Sequence, residues 1–396
     1  MSSIIRILGC LAILSMIVIT GCRNPLVTSG HIYLEQQNNP DKAQEVLAQA
    51  IQQTPNDPEA HFLMGKVYWM KKEYPEMVAS FNRSLALSKS YQGDINEILG
   101  DLWKGNYNLA VSWFNKPKQL EDPHILDSLG LKPNSKEITE LRIKYFQNSI
   151  LFLDTAAIVE PTRWETYFLM GLSNENLGQP EKAADNYLKA VNIQIGIKTI
   201  GPGVKVIDIA KASKVKDLNP AFNLASVLFG LRRYDECIDY AQWVSDATED
   251  SSVRLDAVKI CASALGHLNR PADALKMYDR IIESAPNDAN PYYDRALLSL
   301  DLGDTTKAIT DFEKAVALNP KDFDAMEQLG LIYLESSGFL DYAKALAIFQ
   351  KANTIKPHTY IFVRGIGKAL VRLDRSEEAT PYLEEATALF KEMKKK

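Results

Sequence analysis

Small and apolar residues recur along this chain with two superposed periods. Within short segments, apolar positions repeat every three to four residues, which is typical of helices with one buried face. A longer period links the segments: Ala274 and Ala308 are 34 residues apart, as are Ala345 and Ala379. Repeats of this length are typical of stacked helix pairs. Equivalent small positions are Ala43, Met77, Ala183, Cys237, Ala274, Ala308, Ala345 and Ala379.

Each repeat combines small residues, large residues and a terminal proline in the same order. Gly330 and Ala345 are small enough for two antiparallel helices to approach each other, while Tyr333 and Phe349 fill the space beside them. A proline then follows the second helix, where it prevents the helix from continuing. These prolines are Pro55, Pro161, Pro286, Pro320 and Pro357. The pattern predicts an all-α fold in which each helix pair covers the apolar face of its neighbour.

The repeats predict an organisation in blocks along the chain. N-terminal units occupy 28–90, a further unit occupies 164–194, and a C-terminal array occupies 219–393. Between 91 and 162 the pattern weakens and predicts degenerate helical units. The three prolines between Lys116 and Ser135 predict an exposed loop within this block.

An insertion of about 20 residues interrupts the period at 195–217. Apolar and polar residues alternate on both sides of Gly201-Pro202-Gly203, which predicts a small β-hairpin over 195–209. A loop that leads into a helix from Val206 is the alternative, and the sequence does not decide between them.

The most regular copy, 289–322, resembles the tetratricopeptide repeat. Tyr292, Ala296, Ala308, Phe312, Ala315 and Pro320 stand at the positions that define this motif. The resemblance implies a helix-turn-helix solenoid of about eight to ten helix pairs. It also implies that the protein binds other proteins without catalysing a reaction.

The same resemblance implies a binding groove on the concave face, formed by set positions of each first helix. Asn223 is the only partial match to the basic clamp that holds a terminal carboxylate in some relatives, so we expect an apolar or amphipathic segment as ligand. Aromatic residues at groove positions are candidate anchors, although packing between neighbouring helices is an alternative role for at least half of them. The candidates are Phe62, Trp69, Phe168, Phe222, Phe229, Tyr293, Leu297 and Arg364.

The first 21 residues have the organisation of a signal peptide. Arg6 precedes an apolar run from Ile7 to Ile19, which is shorter than the stretch that a membrane-spanning helix usually needs. Ile19-Thr20-Gly21-Cys22 resembles the lipobox of bacterial lipoproteins, which implies lipidation of Cys22 after cleavage at 1–21. A tether would then cover 22–30. The resemblance implies an outer-membrane location facing the periplasm, or the outer leaflet in a host with one membrane; an ordinary signal peptide is the alternative.

Composition and motifs argue against nucleic-acid binding and against enzymatic catalysis. The formal net charge of −5 is slightly negative, whereas a surface that binds along nucleic-acid phosphates is basic. The five histidines lie in different repeats, and the sequence contains no familiar nucleotide, metal or nucleophile motif. We therefore expect no enzyme, no cofactor and no metal. Cys237 and Cys261 are either bridged in an oxidising compartment or serve as small apolar fillers.

Together these observations predict a lipid-anchored scaffold that joins proteins in a bacterial cell-envelope assembly. The competing hypothesis is a helical surface lipoprotein that captures a glycan or another small ligand. That hypothesis requires tryptophans gathered at one site, whereas the five tryptophans are scattered along the sequence. The partner protein and the oligomeric state are not predictable from these residues.

Overall fold

A computed structural model describes residues 24–197 and 206–394, and over these residues the chain is helical with no β-strand. The predicted all-α solenoid fold is confirmed. The chain divides into two units, Met1–Pro202 and Gly203–Lys396.

The described part of the first unit contains nine α-helices. The first helix continues directly into a π-helical turn at Ile32–Gln36. The helices are α1 (Pro25–His31), α2 (Pro40–Gln53), α3 (Pro58–Lys71), α4 (Tyr74–Leu87), α5 (Gln92–Gln119), α6 (Pro123–Leu129), α7 (Lys136–Val159), α8 (Trp164–Asn176) and α9 (Pro180–Gln194).

The described part of the second unit contains eleven helices, most of them 12 to 18 residues long. They are α10 (Val206–Ala212), α11 (Asn219–Gly230), α12 (Tyr234–Ala247), α13 (Ser251–His267), α14 (Pro271–Ser284), α15 (Ala289–Asp301), α16 (Thr305–Leu318), α17 (Phe323–Glu335), α18 (Tyr342–Ile355), α19 (Tyr360–Arg372) and α20 (Ser376–Met393).

Helix starts follow local sequence rules. Asn39 and Asp57 each precede a proline, and their side chains accept hydrogen bonds from backbone N–H groups of the first turn. Proline is favourable at this position because its missing N–H would have no helical partner. Within several pairs, one left-handed residue reverses the chain, as Gly303 does with a φ of 78° between α15 and α16.

Glycines in the first helices let aromatic rings of neighbouring helices come close. A Cβ atom added at Gly65 would lie 2.4 Å from the ring of Phe81. Phe349 is enclosed from two sides, because added Cβ atoms at Gly330 and Gly365 would lie 2.5 and 2.6 Å from its ring. The buried aromatic residues therefore fill the space that the glycines leave open.

The structure corrects three expectations about irregular segments. Residues 25–30 of the predicted tether are helical, and Val27 is fully buried. The segment 116–135 is not an exposed loop: α6 lies within it, and Leu120, Leu126 and Ile138 form a small core. Pro123 is the first residue of α6, where proline is tolerated because its missing N–H would have no helical partner. Pro117 lies in the last turn of α5.

The predicted β-hairpin at 195–209 is not formed at its second arm. Residues from Val206 onward form α10, which agrees with the alternative prediction of a helix from Val206. Ile207 and Ala210 on this helix are buried. Buried residues three apart suit a helix, whereas a strand would place them on opposite faces. The rest of the predicted hairpin, 198–205, lies outside the described residues.

Among residues 24–197 and 206–394, no helix has both the length and the hydropathy needed to cross a bilayer. The predicted signal peptide 1–21 and Cys22, the predicted lipidation site, lie outside the described residues.

Candidate functional site

Phe62, the first predicted groove anchor, is a core residue. Only 8% of its surface is exposed, and its ring stacks on Tyr91 with 4.5 Å between the centroids. The contact joins α3 to the residue that precedes α5. The packing alternative therefore holds for Phe62, which is not available to a ligand.

Trp69 lies about two turns further along α3 and is 38% exposed. It forms one side of a groove of about 440 Å³, and α5 forms the other. The residues of α5 that line this groove, hereafter the Trp69 groove, are Glu97, Ile98, Asp101, Leu102, Gly105, Asn106 and Leu109.

The floor of the Trp69 groove is apolar and its rim is acidic. Ile98 and Leu102 pack partly against the core of the first repeats, but Leu109 is 49% exposed. Gly105 leaves the middle of the floor open, because an added Cβ atom would meet nothing within 4 Å. Glu97 and Asp101 are exposed, one helical turn apart. Such a surface can accept an apolar side chain that has cationic neighbours.

Phe168, on α8, is half-buried between two aromatic rings. Its centroid lies 6.1 Å from that of Trp164 and 5.8 Å from that of Tyr187. Tyr187 is fully buried and donates a hydrogen bond from its hydroxyl to Glu175. Phe168 thus belongs mainly to the packing between α8 and α9.

In the second unit, the predicted residues on α11 are half-buried. Phe229 contacts Tyr234 and His267, with centroid distances of 5.7 and 5.6 Å, while Phe222 is half-buried on the same helix. Three aromatic groups from three helices thus meet at Phe229. This contact connects the three helices, and Phe229 remains half-buried.

Tyr293 and Leu297, both on α15, lie on a mixed polar and apolar surface. The ring of Tyr293 packs edge-on against Phe312 at 5.7 Å. Burial raises the pKa of the Tyr293 hydroxyl, and the negative charge of Asp324 adds to this effect. Leu297 lines a cavity of about 510 Å³ between α13 and α15.

Carboxylates dominate the polar part of this surface. Oδ2 of Asp294 lies 3.0 Å from Nζ of Lys259. Burial raises the pKa of Asp294, and Lys259 opposes this effect. The pKa of Glu327, on α17, is also raised by burial and then by Asp324. The face is therefore acidic around Tyr293.

Arg364 is the one exposed member of the predicted set in the last repeats. Its guanidinium lies over the ring of Tyr360, 5.9 Å from the centroid. Nearby, Lys368 donates a hydrogen bond of 2.7 Å to the carboxylate of Glu335 and thereby lowers the pKa of that group. Within the first unit, Trp69 is thus the predicted residue that lies on an open groove. Within the second unit, the surface around Tyr293 is acidic.

Cys237 and Cys261 are buried free thiols in the structure, so the disulfide alternative is not formed there. Neither side chain has any exposed surface, as expected for small apolar fillers. Burial raises the pKa of both thiols to about 12. Over the described residues, no cluster of three or more histidine, cysteine or carboxylate side chains could hold a metal.

Most of the other tryptophans are engaged within the fold. Trp243 is buried, Trp103 donates a hydrogen bond to Thr166 over 2.9 Å, and Nζ of Lys116 lies 3.3 Å from the centroid of Trp113. These contacts leave Trp69 as the tryptophan that faces an open groove.

The repeat pattern did not indicate the half of the groove that α5 contributes. Leu102, Gly105 and Leu109 were not assigned to a binding face because 91–162 was interpreted as degenerate. The spacing of these residues, three and four apart, was the available signal.

Three segments match models of one repeat family. Residues 30–72 match a model described as a TPR repeat, and residues 165–194 and 267–328 match models described as tetratricopeptide repeats.

The chain is also similar to two kinds of curated protein. It is 36% identical over 75 residues to FK506-binding protein-like of Mus musculus, which covers 19% of this chain and 21% of that protein. It is 23% identical over 237 residues to protein O-mannosyl-transferase TMTC3 of Homo sapiens, which covers 59% of this chain and 24% of that protein. The chain thus spans only a fifth to a quarter of these relatives.

Among solved structures, MamA from Desulfovibrio magneticus RS-1 matches 46% of this chain and 98% of its own, with 20% identity and a TM-score of 0.37. YrrB, whose structure is described as that of a TPR protein with an unusual peptide-binding site, matches 47% of this chain and 92% of its own, with 16% identity and a TM-score of 0.35.

Proposed function

Since the chain is a tetratricopeptide-repeat protein, we propose that it is a non-catalytic scaffold that binds an apolar or amphipathic segment of another protein. Arrays of stacked helix pairs offer extended concave faces that suit such segments. The repeat-family matches support this general role.

The observation that carries the proposal is the exposed Trp69 beside Ile98, Leu102 and Leu109. Large rigid aromatic residues that flank a groove are favourable anchors because they bury much area at a small entropic cost. The packing of Phe62 on Tyr91 holds α3 and the start of α5 together about two turns before this groove. The groove is thus preorganised.

We further propose that the partner is an envelope protein and that Cys22 carries a lipid anchor. The support is the sequence Ile19-Thr20-Gly21-Cys22 after an apolar run, which resembles a lipobox. Long acyl chains would hold the protein on a membrane, since each buried CH₂ contributes about 0.8 kcal/mol. In a host with two membranes, Arg23 after the cysteine favours the outer membrane facing the periplasm.

Affinity capture from solubilised membranes tests the scaffold role. We expect the wild-type chain to retain a stoichiometric envelope protein and the Trp69→Ala variant to lose it. Met70→Ala is the matched control, because Met70 is its neighbour and is equally exposed at 38% but does not line the groove. Equal retention by both variants would contradict the role of the groove. Thermal stabilisation by glycans, without a captured protein, would support ligand capture over the scaffold.

A further inference from the structure

We propose that the Trp69 groove receives a cationic amphipathic helix, with apolar residues on the floor and lysine or arginine side chains against Glu97 and Asp101. This inference rests on the proposed function, and it adds the conformation and the charge of the bound segment.

The length of α5 makes this groove different from an ordinary space between repeats. Helix α5 has 28 residues, whereas α3 has 14. At about 1.5 Å per residue they are about 42 and 21 Å long. Ile98 and Leu102 pack on the core of the first repeats, and Tyr107 packs on the next core. Leu109 lies on the longer part of α5 and remains exposed.

The shape of the floor favours a helix as the occupant. Ile98, Leu102, Gly105 and Leu109 are spaced by four, three and four residues, so they form one stripe along α5. From Ile98 to Leu109 the stripe rises by eleven residue steps, or about 16 Å, which equals about three turns of a bound helix. Gly105 presents no side chain at the centre, and a second helix can approach closely at such a position.

The charges on the rim favour a cationic occupant. Glu97 and Asp101 are exposed and line the same groove, and neither makes an ion pair with a described residue. On α3, Lys66 pairs with Glu35 and Lys71 pairs with Asp41. Lys104 is exposed on α5, one turn after Asp101, but it does not line the groove and forms no ion pair with a described residue. Two carboxylates that form no ion pair, beside an apolar floor, complement a helix that has basic residues at the edge of its apolar face.

The direct test uses labelled synthetic helical peptides and the full-length protein. One 16-residue peptide has leucines at i, i+3, i+4 and i+7 with flanking lysines, and a second has glutamates in place of the lysines. By fluorescence anisotropy, we expect the lysine peptide to bind at least ten-fold more tightly and to weaken as salt is added. Equal binding of both peptides overturns the proposal.

Two pairs of variants locate the binding. Gly105→Leu should fill the floor and reduce the affinity for the lysine peptide at least ten-fold. Gly100→Leu is its control, because Gly100 lies on the same helix with equally open space but does not line the groove. Glu97→Lys with Asp101→Lys should also reduce the affinity at least ten-fold, while Trp69 stays in place. Unchanged affinity in Gly105→Leu, with circular dichroism like that of wild type, overturns the site.

Two outcomes separate this inference from the scaffold function. If the doubly charge-reversed variant keeps an envelope partner that Trp69→Ala loses, the cationic helix is wrong and the scaffold function stands. If sedimentation shows a wild-type dimer that Gly105→Leu converts to a monomer, a second copy of this chain occupies the groove and the proposal is overturned.

Discussion

Close contacts between glycines and aromatic rings stabilise the repeats at single positions. Gly65 leaves room for Phe81, which has no exposed surface. The sequence identified the small positions and the large residues beside them, because both recur with the repeat. It did not identify which ring fills which gap, since this depends on how two helices rotate against each other.

Gly65→Ala should therefore destabilise the first unit. The new methyl group would lie 2.4 Å from the Phe81 ring, so the ring or the helix must move, at a cost of about 1 to 3 kcal/mol. Gly100→Ala is the control: its methyl group meets no atom within 4 Å, and alanine favours the helix by about 0.5 to 1 kcal/mol. Urea unfolding measures both changes. A Gly65→Ala variant as stable as wild type would show that the two helices do not pack this closely.

The buried thiols make the second unit sensitive to alkaline pH. The pKa of Cys237 and of Cys261 is raised to about 12, against about 8.5 for an unfolded thiol. A raised pKa in the folded state contributes stability below the unfolded value, and this contribution is lost as the pH rises toward 12. Unfolding measured from pH 8 to pH 11 should show a falling free energy, by up to about 1.4 kcal/mol per pH unit for each thiol. The double Cys→Ala variant should show a shallower decline, and an identical slope would contradict the assignment.

At the scale of elements, the unexpected feature is the long antiparallel pair of α5 and α7. The sequence predicted degenerate repeats over 91–162, because the 34-residue spacing of small residues is lost there. Gly100 and Gly105 are exposed or half-exposed within α5 and so are tolerated, and Pro117 lies near its end. Helix length depends on the partner against which a helix packs, and a single-repeat pattern does not contain that information.

Arg295 links three helices of the second unit. From α15 it donates two hydrogen bonds to Asp311 on α16, at 2.8 and 2.6 Å, and one to Asp279 on α14 at 2.6 Å. Only 4% of the Asp311 side chain is exposed, so this carboxylate depends on Arg295 for its counter-charge. The bridge therefore joins two consecutive repeats through charge-assisted hydrogen bonds.

Arg295→Ala should destabilise the second unit by about 3 to 5 kcal/mol, because it leaves a buried carboxylate unpaired. Arg295→Lys should recover only part of the lost stability, since lysine cannot form the bidentate pair of hydrogen bonds with Asp311. Arg280→Ala is a suitable control because Arg280 is exposed on α14 and makes no ion pair with a described residue. Urea unfolding compares the three variants, and equal stability of Arg295→Ala and Arg280→Ala would refute the bridge.

At the scale of the whole molecule, sequence periodicity was informative about architecture and much less about the binding surface. Periodicity arises from burial, so it predicted the helix pairs around Ala308 and Ala345. The resemblance to the repeat family also pointed to Phe62 as a groove residue, but burial against Tyr91 removes it from the surface. The exposed groove residues Leu109 and Glu97 follow no repeat, because their positions depend on the long helix α5.

The lipid anchor is the remaining prediction for the whole molecule. If Cys22 is acylated, the wild-type chain should remain in the membrane fraction after washing with high salt and should incorporate radiolabelled palmitate. Cys22→Ala removes the thiol that would receive the lipid, so this variant should be unlabelled and either soluble or unprocessed. Cys10→Ala is the control, because only nine residues precede Cys10 and they contain no long apolar run. Continued labelling of Cys22→Ala would refute the anchor, while the helical scaffold and its groove would be unaffected.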